Sequence, residues 1–137
     1  MTYPAGWQAY SGDARWTCLL FDPQPIDVQM DSELPPVAVA IFDDARPAAT
    51  VAADYETASV YTILSTDSGT IDGHDAVAYE VENTGQGYYE KGVRQTVVIV
   101  DRGSRRSLVL ETTGTAGARY DGNVEALAMM LQALKID

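Results

Sequence analysis

One cysteine, one histidine, nine basic residues and no long apolar run: the scarcities of this sequence say more than any motif in it. The lone Cys18 excludes an internal disulfide. It lies in Trp16-Thr17-Cys18-Leu19-Leu20, a strand-like run in which a free thiol packs as a small hydrophobe. The lone His74 excludes a multi-histidine metal site and any acid–base pair of histidines. No apolar stretch approaches the roughly 20 residues that span a bilayer, so we expect no integral membrane segment. No basic stretch followed by an apolar core opens the sequence, so no secretion signal is visible in it. Nine bases stand against twenty acids, a formal net charge of −11. Such a field repels nucleic-acid phosphates and anionic lipid, so we expect no nucleic-acid partner.

What is present is ordinary globular material. Apolar residues make up 46% and charged residues 21% of the 137 positions, which is far from the disordered class. A chain of this length fits one domain and buries enough surface to need no staple. Residues 1–36 are punctuated by Pro4, Gly6, Gly12, Pro23, Pro25, Pro35 and Pro36, and we expect them to be largely irregular, with strand-like Thr17 to Phe21 and Ile26 to Met30. Residues 37–137 carry the regular elements. Val37 to Phe42 has strand length. Asp43-Asp44-Ala45-Arg46-Pro47 carries a helix-start signature, acids before a proline, and the helix that follows ends by Ser59 with Val51, Tyr55 and Ala58 on one face.

The spacing then predicts strands. Ser59 to Thr66 is β-rich and is closed by turn chemistry at Asp67-Ser68-Gly69 and Asp72-Gly73. Ala76 to Asn83 alternates, with Val77, Tyr79 and Val81 on one side. Thr84-Gly85-Gln86-Gly87 leads into a strand from Tyr88 to Asp101, and Asp101-Arg102-Gly103-Ser104 turns into Arg106 to Thr113. Val124, Leu127, Leu131 and Leu134 recur as a stripe on a closing helix of about Tyr120 to Lys135. Antiparallel strands joined by short turns, with helices before and after, predict an α+β fold: a sheet of five to seven strands covered by two helices.

This order has a known look. Asp72-Gly73 before a small-residue strand, an Arg-bearing strand ending in Val98-Ile99-Val100, the returning Leu108-Val109-Leu110 and the Leu-rich closing helix together resemble the PsbP-like (Mog-type) α/β/α sandwich. Tyr3-Pro4-Ala5-Gly6-Trp7 is similar to the Pro-x-Gly-Trp signal near the start of such domains. The resemblance extends to small actinobacterial cell-envelope proteins of the LpqN type. It implies a non-enzymatic binding or assembly module with a protein partner or small apolar ligand, in an extracytoplasmic setting, and it carries no binding residue onto a position here.

Candidate chemistry is sparse. His74 beside Asp72 and Asp75 is the only base a small hydrolase could use, and a solvent-facing turn histidine is the simpler reading. No Gly-x-Ser-x-Gly elbow is present. Asp67, Asp72 and Asp75 lack the alternate spacing and closing glutamate of a calcium loop, and we expect turn formers with no metal. Gly85-Gln86-Gly87 joins two strands and is no phosphate cradle, so no cofactor is expected. Arg102, Arg105 and Arg106 cluster in a hairpin beside Asp101, where ion pairing accounts for them. Tyr3, Trp7, Tyr10, Trp16, Tyr88 and Tyr89 form the candidate contact surface, because aromatics anchor interfaces at low entropic cost. A purely structural domain of a larger protein is the remaining alternative.

Overall fold

A computed structural model describes residues 5–6, 8–11, 18–22, 39–87, 89–103, 105–112 and 120–136, with backbone alone for 8–11 and 18–21. Among these residues seven strands and two helices follow in the order β1 (Gln8–Ser11), β2 (Cys18–Asp22), β3 (Val39–Asp44), α1 (Ala48–Thr57), β4 (Tyr61–Ile71), β5 (His74–Asn83), β6 (Arg94–Gly103), β7 (Arg106–Thr112) and α2 (Tyr120–Ala133). The strands form one sheet in the order β1-β2-β3-β7-β6-β5-β4, antiparallel at every pairing. The α+β class and two-helix cover expected from the sequence are what the chain adopts. The strand expected at Thr17 to Phe21 is β2, and β1 extends the sheet one strand further than expected. The strand expected at Ile26 to Met30 lies outside the described residues.

Alternation along the central strands divides the core in two. Val39, Ile41, Val98, Val100 and Leu110 face α2, where Leu127, Met130 and Leu134 cover them. Tyr79, Val81, Val97, Ile99 and Val109 face α1, where Val51 covers them. β6 is therefore buried on both sides, as the apolar run Val97–Val100 requires.

The stripe of α2 sits about one position away from the expected one. Asn123, Ala126, Leu127 and Met130 are its buried residues, and Leu134 is buried just beyond it, whereas Val124 and Leu131 ride half-exposed on the flank. Its first residue is tied to the sheet by polar contacts. The Tyr120 hydroxyl lies 2.8 Å from Thr96 Oγ1 and donates to Glu80 Oε2 at 3.2 Å.

Three turns also differ. β4 runs straight through Asp67-Ser68-Gly69, because each of these pairs with β5, and the reversal falls at Asp72-Gly73 alone. Both turn residues have positive φ, 49° and 79°, the geometry of a two-residue hairpin that matches strand twist. The strand expected from Tyr88 begins only at Arg94, since Gly92 with φ 93° closes a loop in which Gly92 N–H donates to Asn83 O and Asn83 N–H to Val93 O. β6 continues to Gly103 with a register shift after Asp101, so the second hairpin reverses past Gly103, at Arg105 with φ 62°.

Asp43 and Asp44 end β3 and do not cap α1, whose N-cap is Pro47 with no side-chain cap. Asp44 accepts from the Arg46 backbone and guanidinium at 2.8–3.1 Å. That guanidinium holds the Asp44 carboxyl below its ordinary value. Among the described residues, Asp43 bridges Arg102 at 3.0 Å and also Arg106, which gives two of the three clustered arginines, Arg102 and Arg106 but not Arg105, the ion pairing expected of them.

Candidate functional site

The two ends of the β4–β5 ribbon differ in kind. At the end where β4 begins and β5 finishes, Tyr55 from the last turn of α1 stacks over Tyr61 and Tyr79, with ring centroids 5.3 and 6.4 Å away. Tyr55 donates to Glu111 Oε2 at 3.4 Å, and Tyr79 to Glu56 Oε1 at 2.8 Å. Glu111 is an acid at an inward position of β7, two residues after Val109 on the α1 face. Burial pushes its carboxyl up to about 7, against the opposing pull of the Tyr55 hydrogen bond. The same burial, helped by Glu111, raises Tyr55, and burial with the Glu56 bond raises Tyr79 to about 12. Below these rings Asn83 donates to Val93 O and Gln95 Oε1 at 2.9 and 3.1 Å, and Gln95 to Thr112 O at 3.1 Å. Gly87 lies so close to Val60 that a Cβ there would stand 3.1 Å from it. Tyr79, Val81 and Asn83 are buried here, and packed side chains fill this end on the α1 face.

The other end is open. From Leu64 to Thr70 every residue of β4 is exposed. On the α1 face an open groove of about 290 Å³ is bounded by Ala48 and Ala52 of the helix, floored by Val77 and Ile99, and rimmed by Asp75 and Asp101. On the α2 face a second groove of about 200 Å³ lies between Leu131 and the hairpin, lined by Ile71, Ala76, Ala78 and Val98, with Asp67 at its mouth. The two grooves share Ser68, Gly69, Ala76 and Val77, so they are the two faces of one thin stretch of sheet. A Cβ added to Gly69 would meet nothing within 4 Å.

The hairpin is pinned from one side. Asp72 Oδ2 accepts from the Ile136 backbone N–H at 2.7 Å, and Lys135 Nζ lies 3.7 Å from Oδ1. His74 is the first residue of β5 and not a turn residue, with Nδ1 2.9 Å from the carbonyl oxygen of Asp101. The expected turn formers Asp67 and Asp75 lie within strands instead. They project to opposite faces, since Asp67 opens the α2-side groove and Asp75 the α1-side one. Among the described residues no three His, Cys, Asp or Glu side chains converge as metal ligands, and no helix is long and apolar enough to cross a membrane.

Of the aromatic contact surface expected from the sequence, Tyr3, Trp7, Trp16 and Tyr88 lie outside the described residues, and Tyr10 is described by its backbone in β1 only. Tyr89, half-buried in the loop before β6, lies near enough to Tyr61 to contribute to raising its hydroxyl, after burial and Glu111. It therefore borders the tyrosine cluster of the closed end. Glu111 and the two grooves are features that the residue pattern did not single out. For Glu111 the signal was available, an acid in phase with Val109; for the grooves it was the run of small residues Gly69, Ala76 and Ala78.

No family model and no curated protein sequence matches the chain. Among solved structures, it is similar to PA94, a Pseudomonas aeruginosa protein of unknown function described as a candidate regulator, with a TM-score of 0.58, 17% identity and coverage of 97% of this chain and 99% of that one. The solution structure of cyanobacterial PsbP (CyanoP) from Synechocystis sp. PCC 6803 aligns at a TM-score of 0.49 and 13% identity, over 95% of this chain and 91% of that one. The likeness to PA94 is one of fold.

Proposed function

We propose that this protein is a non-enzymatic binding or assembly module that engages a protein partner at the open end of the β4–β5 ribbon. The observation that carries the reading is the pair of grooves on the two faces of one exposed edge strand. Ligand sites are concave, largely apolar and set with a few convergent polar groups, and these grooves have that make-up. The fold resemblance to LpqN-type envelope proteins adds an extracytoplasmic setting to the same proposal, and the aromatic set Tyr3, Trp7, Tyr10, Trp16, Tyr88 and Tyr89 adds a second contact area. A small apolar ligand in the α2-side groove is the variant reading, favoured by the aliphatic side chains of Ile71, Ala76, Ala78, Val98 and Leu131 in its lining.

The test is affinity capture from the native host with the wild-type chain and with Gly69→Leu, whose side chain would occupy the α2-side groove. A defined partner retained by the wild type and lost by Gly69→Leu is the expected result. A hydrolase activity in a broad ester and amide screen, abolished by His74→Ala, would overturn the reading and make the histidine the functional residue.

A further inference from the structure

β4 is an edge strand of unusual character. It spans 11 residues, lies at the end of the sheet among the described residues, and from Ser65 to Thr70 is exposed on both faces. Natural edges are blunted by proline, lysine, bulges or short length, because unpaired N–H and C=O groups recruit other strands. β4 has its bulge between Ile63 and Ser65, in the half nearest the tyrosine cluster. The half beyond the bulge has no proline and no lysine, and its one charge is Asp67. The ladder also fixes which groups are free. In a two-residue hairpin the flanking residues, here Ile71 and His74, form a hydrogen-bonded pair. Antiparallel pairs alternate between bonded and non-bonded. Thr66, Ser68 and Thr70 therefore turn their backbone N–H and C=O outward, away from β5.

A strand added to that edge would send alternate side chains to opposite faces. On one face they meet the α1-side groove, whose floor is Val77 and Ile99 and whose rim is Asp75 and Asp101. On the other they lie over Gly69, which has no side chain to block them, at the mouth of the aliphatic α2-side groove that ends at Leu131. The first suits a long side chain with a cationic tip, and the second a branched apolar one. Charge decides the rest. The segment 65–78 holds Asp67, Asp72 and Asp75 and no lysine or arginine, within a chain of net charge −11. A second copy would bring the same charge to the same edge, whereas a basic segment is attracted.

We infer that the outer edge of β4 at Thr66 to Thr70 takes an extended segment of a partner protein as an additional strand, and that this segment alternates basic and apolar residues. The inference rests on the binding-module reading above and specifies its partner and mode. Main-chain hydrogen bonds supply affinity and the alternating grooves supply specificity, as in other strand-addition complexes.

The test uses two acetylated, amidated octapeptides, one alternating lysine with valine and one alternating glutamate with valine, titrated against the whole chain with backbone amide shifts as the readout. The lysine–valine peptide should bind with shifts confined to β4 beyond the bulge, Asp75 to Ala78, Ile99 to Asp101 and the groove sides of α1 and α2, and the glutamate–valine peptide should not bind. Ser68→Pro removes an outward N–H and no bond to β5, and Gly69→Leu fills a groove. Each should weaken the lysine–valine peptide at least tenfold while the melting temperature stays within a few degrees of wild type. Should Ser68→Pro fail to fold, Gly69→Leu decides alone. Binding that ignores both substitutions, shifts that map elsewhere, or a dimer of the free chain abolished by Ser68→Pro would each overturn strand addition. A natural partner captured equally by wild type and Gly69→Leu would overturn it too, while leaving a binding module with its contact surface elsewhere.

Discussion

The tyrosine end and the small-residue end of the β4–β5 ribbon share two strands and differ in nearly every physical respect. At the first, three stacked tyrosines, the Asn83–Gln95 pair and the half-buried carboxyl of Glu111 pack together, and a methyl group at Gly87 would press on Val60. At the second, Ser68, Gly69, Ala76 and Ala78 leave both faces concave, with α1 and α2 as the far walls of the grooves. Polar groups at the closed end find partners inside the molecule. Those on the outer side of β4 at the open end have none in the ladder of the described residues. A fold this size can hold its core with part of its sheet uncovered because β6 and β7, buried on both faces, carry it. The uncovered part is then free to bind.

That contrast can be broken most forcefully through α2. Leu127→Ala or Met130→Ala, which remove fully buried side chains, should each destabilise by about 2–5 kcal/mol in denaturant melts. Leu131→Ala, at the wall of the groove, should cost only about 1 kcal/mol, because its side chain is half-exposed. Equal losses would mean that the groove is part of the packed core.

Glu111 sharpens the comparison from the closed end. Its folded value near 7 stands above the ordinary carboxyl value of 4.5. At low pH both folded and unfolded states hold the proton. As pH rises past 4.5 the unfolded state releases it first, so this group's contribution to stability falls until about pH 7 and stays low above it. The loss is at most about 3 kcal/mol. Subtracting the pH–stability curve of Glu111→Gln from that of wild type isolates the term, and the variant should be the more stable protein at pH 8. A flat difference curve would show that the carboxyl reaches water freely.

The glycines give the smallest and most local contrast. Gly69→Ala meets open space in a strand and should stabilise by about 0.5 kcal/mol. Gly87→Ala, whose methyl would stand 3.1 Å from Val60, should gain nothing or lose stability. Paired thermal melts of the two variants read this directly, and a gain at Gly87 would mean that the closed end has slack.

Periodicity made most of the architecture legible. The alternation of Val77, Tyr79 and Val81 against Ala78, Glu80 and Glu82, the doubly apolar Val97 to Val100, and the leucines of α2 specify strands, layers and a helix on each face. Local composition misled where pairing overrode it. Asp67-Ser68-Gly69 has the chemistry of a turn, yet β5 runs alongside and draws it into the ladder. The face of α2 shifted because Met130 and Ala126 count as much as leucine once packing decides, and because the buried Asn123 carries no apolar signal. The open end was the least legible part. Small residues in a strand spell weak packing in a sequence, and only the position of β4 at the sheet edge turns them into grooves.

The outward groups of β4 offer the most direct test. In the free chain the amide hydrogens of Thr66, Ser68 and Thr70 should exchange with solvent at near-unprotected rates, while those of Val97 to Val100 in β6 stay protected. On saturation with the lysine–valine octapeptide, exchange at Thr66, Ser68 and Thr70 should slow at least tenfold, with Tyr79 and Val81 unchanged. Slowing at the tyrosine end instead, or no slowing at these three amides in a saturated sample, would contradict the account.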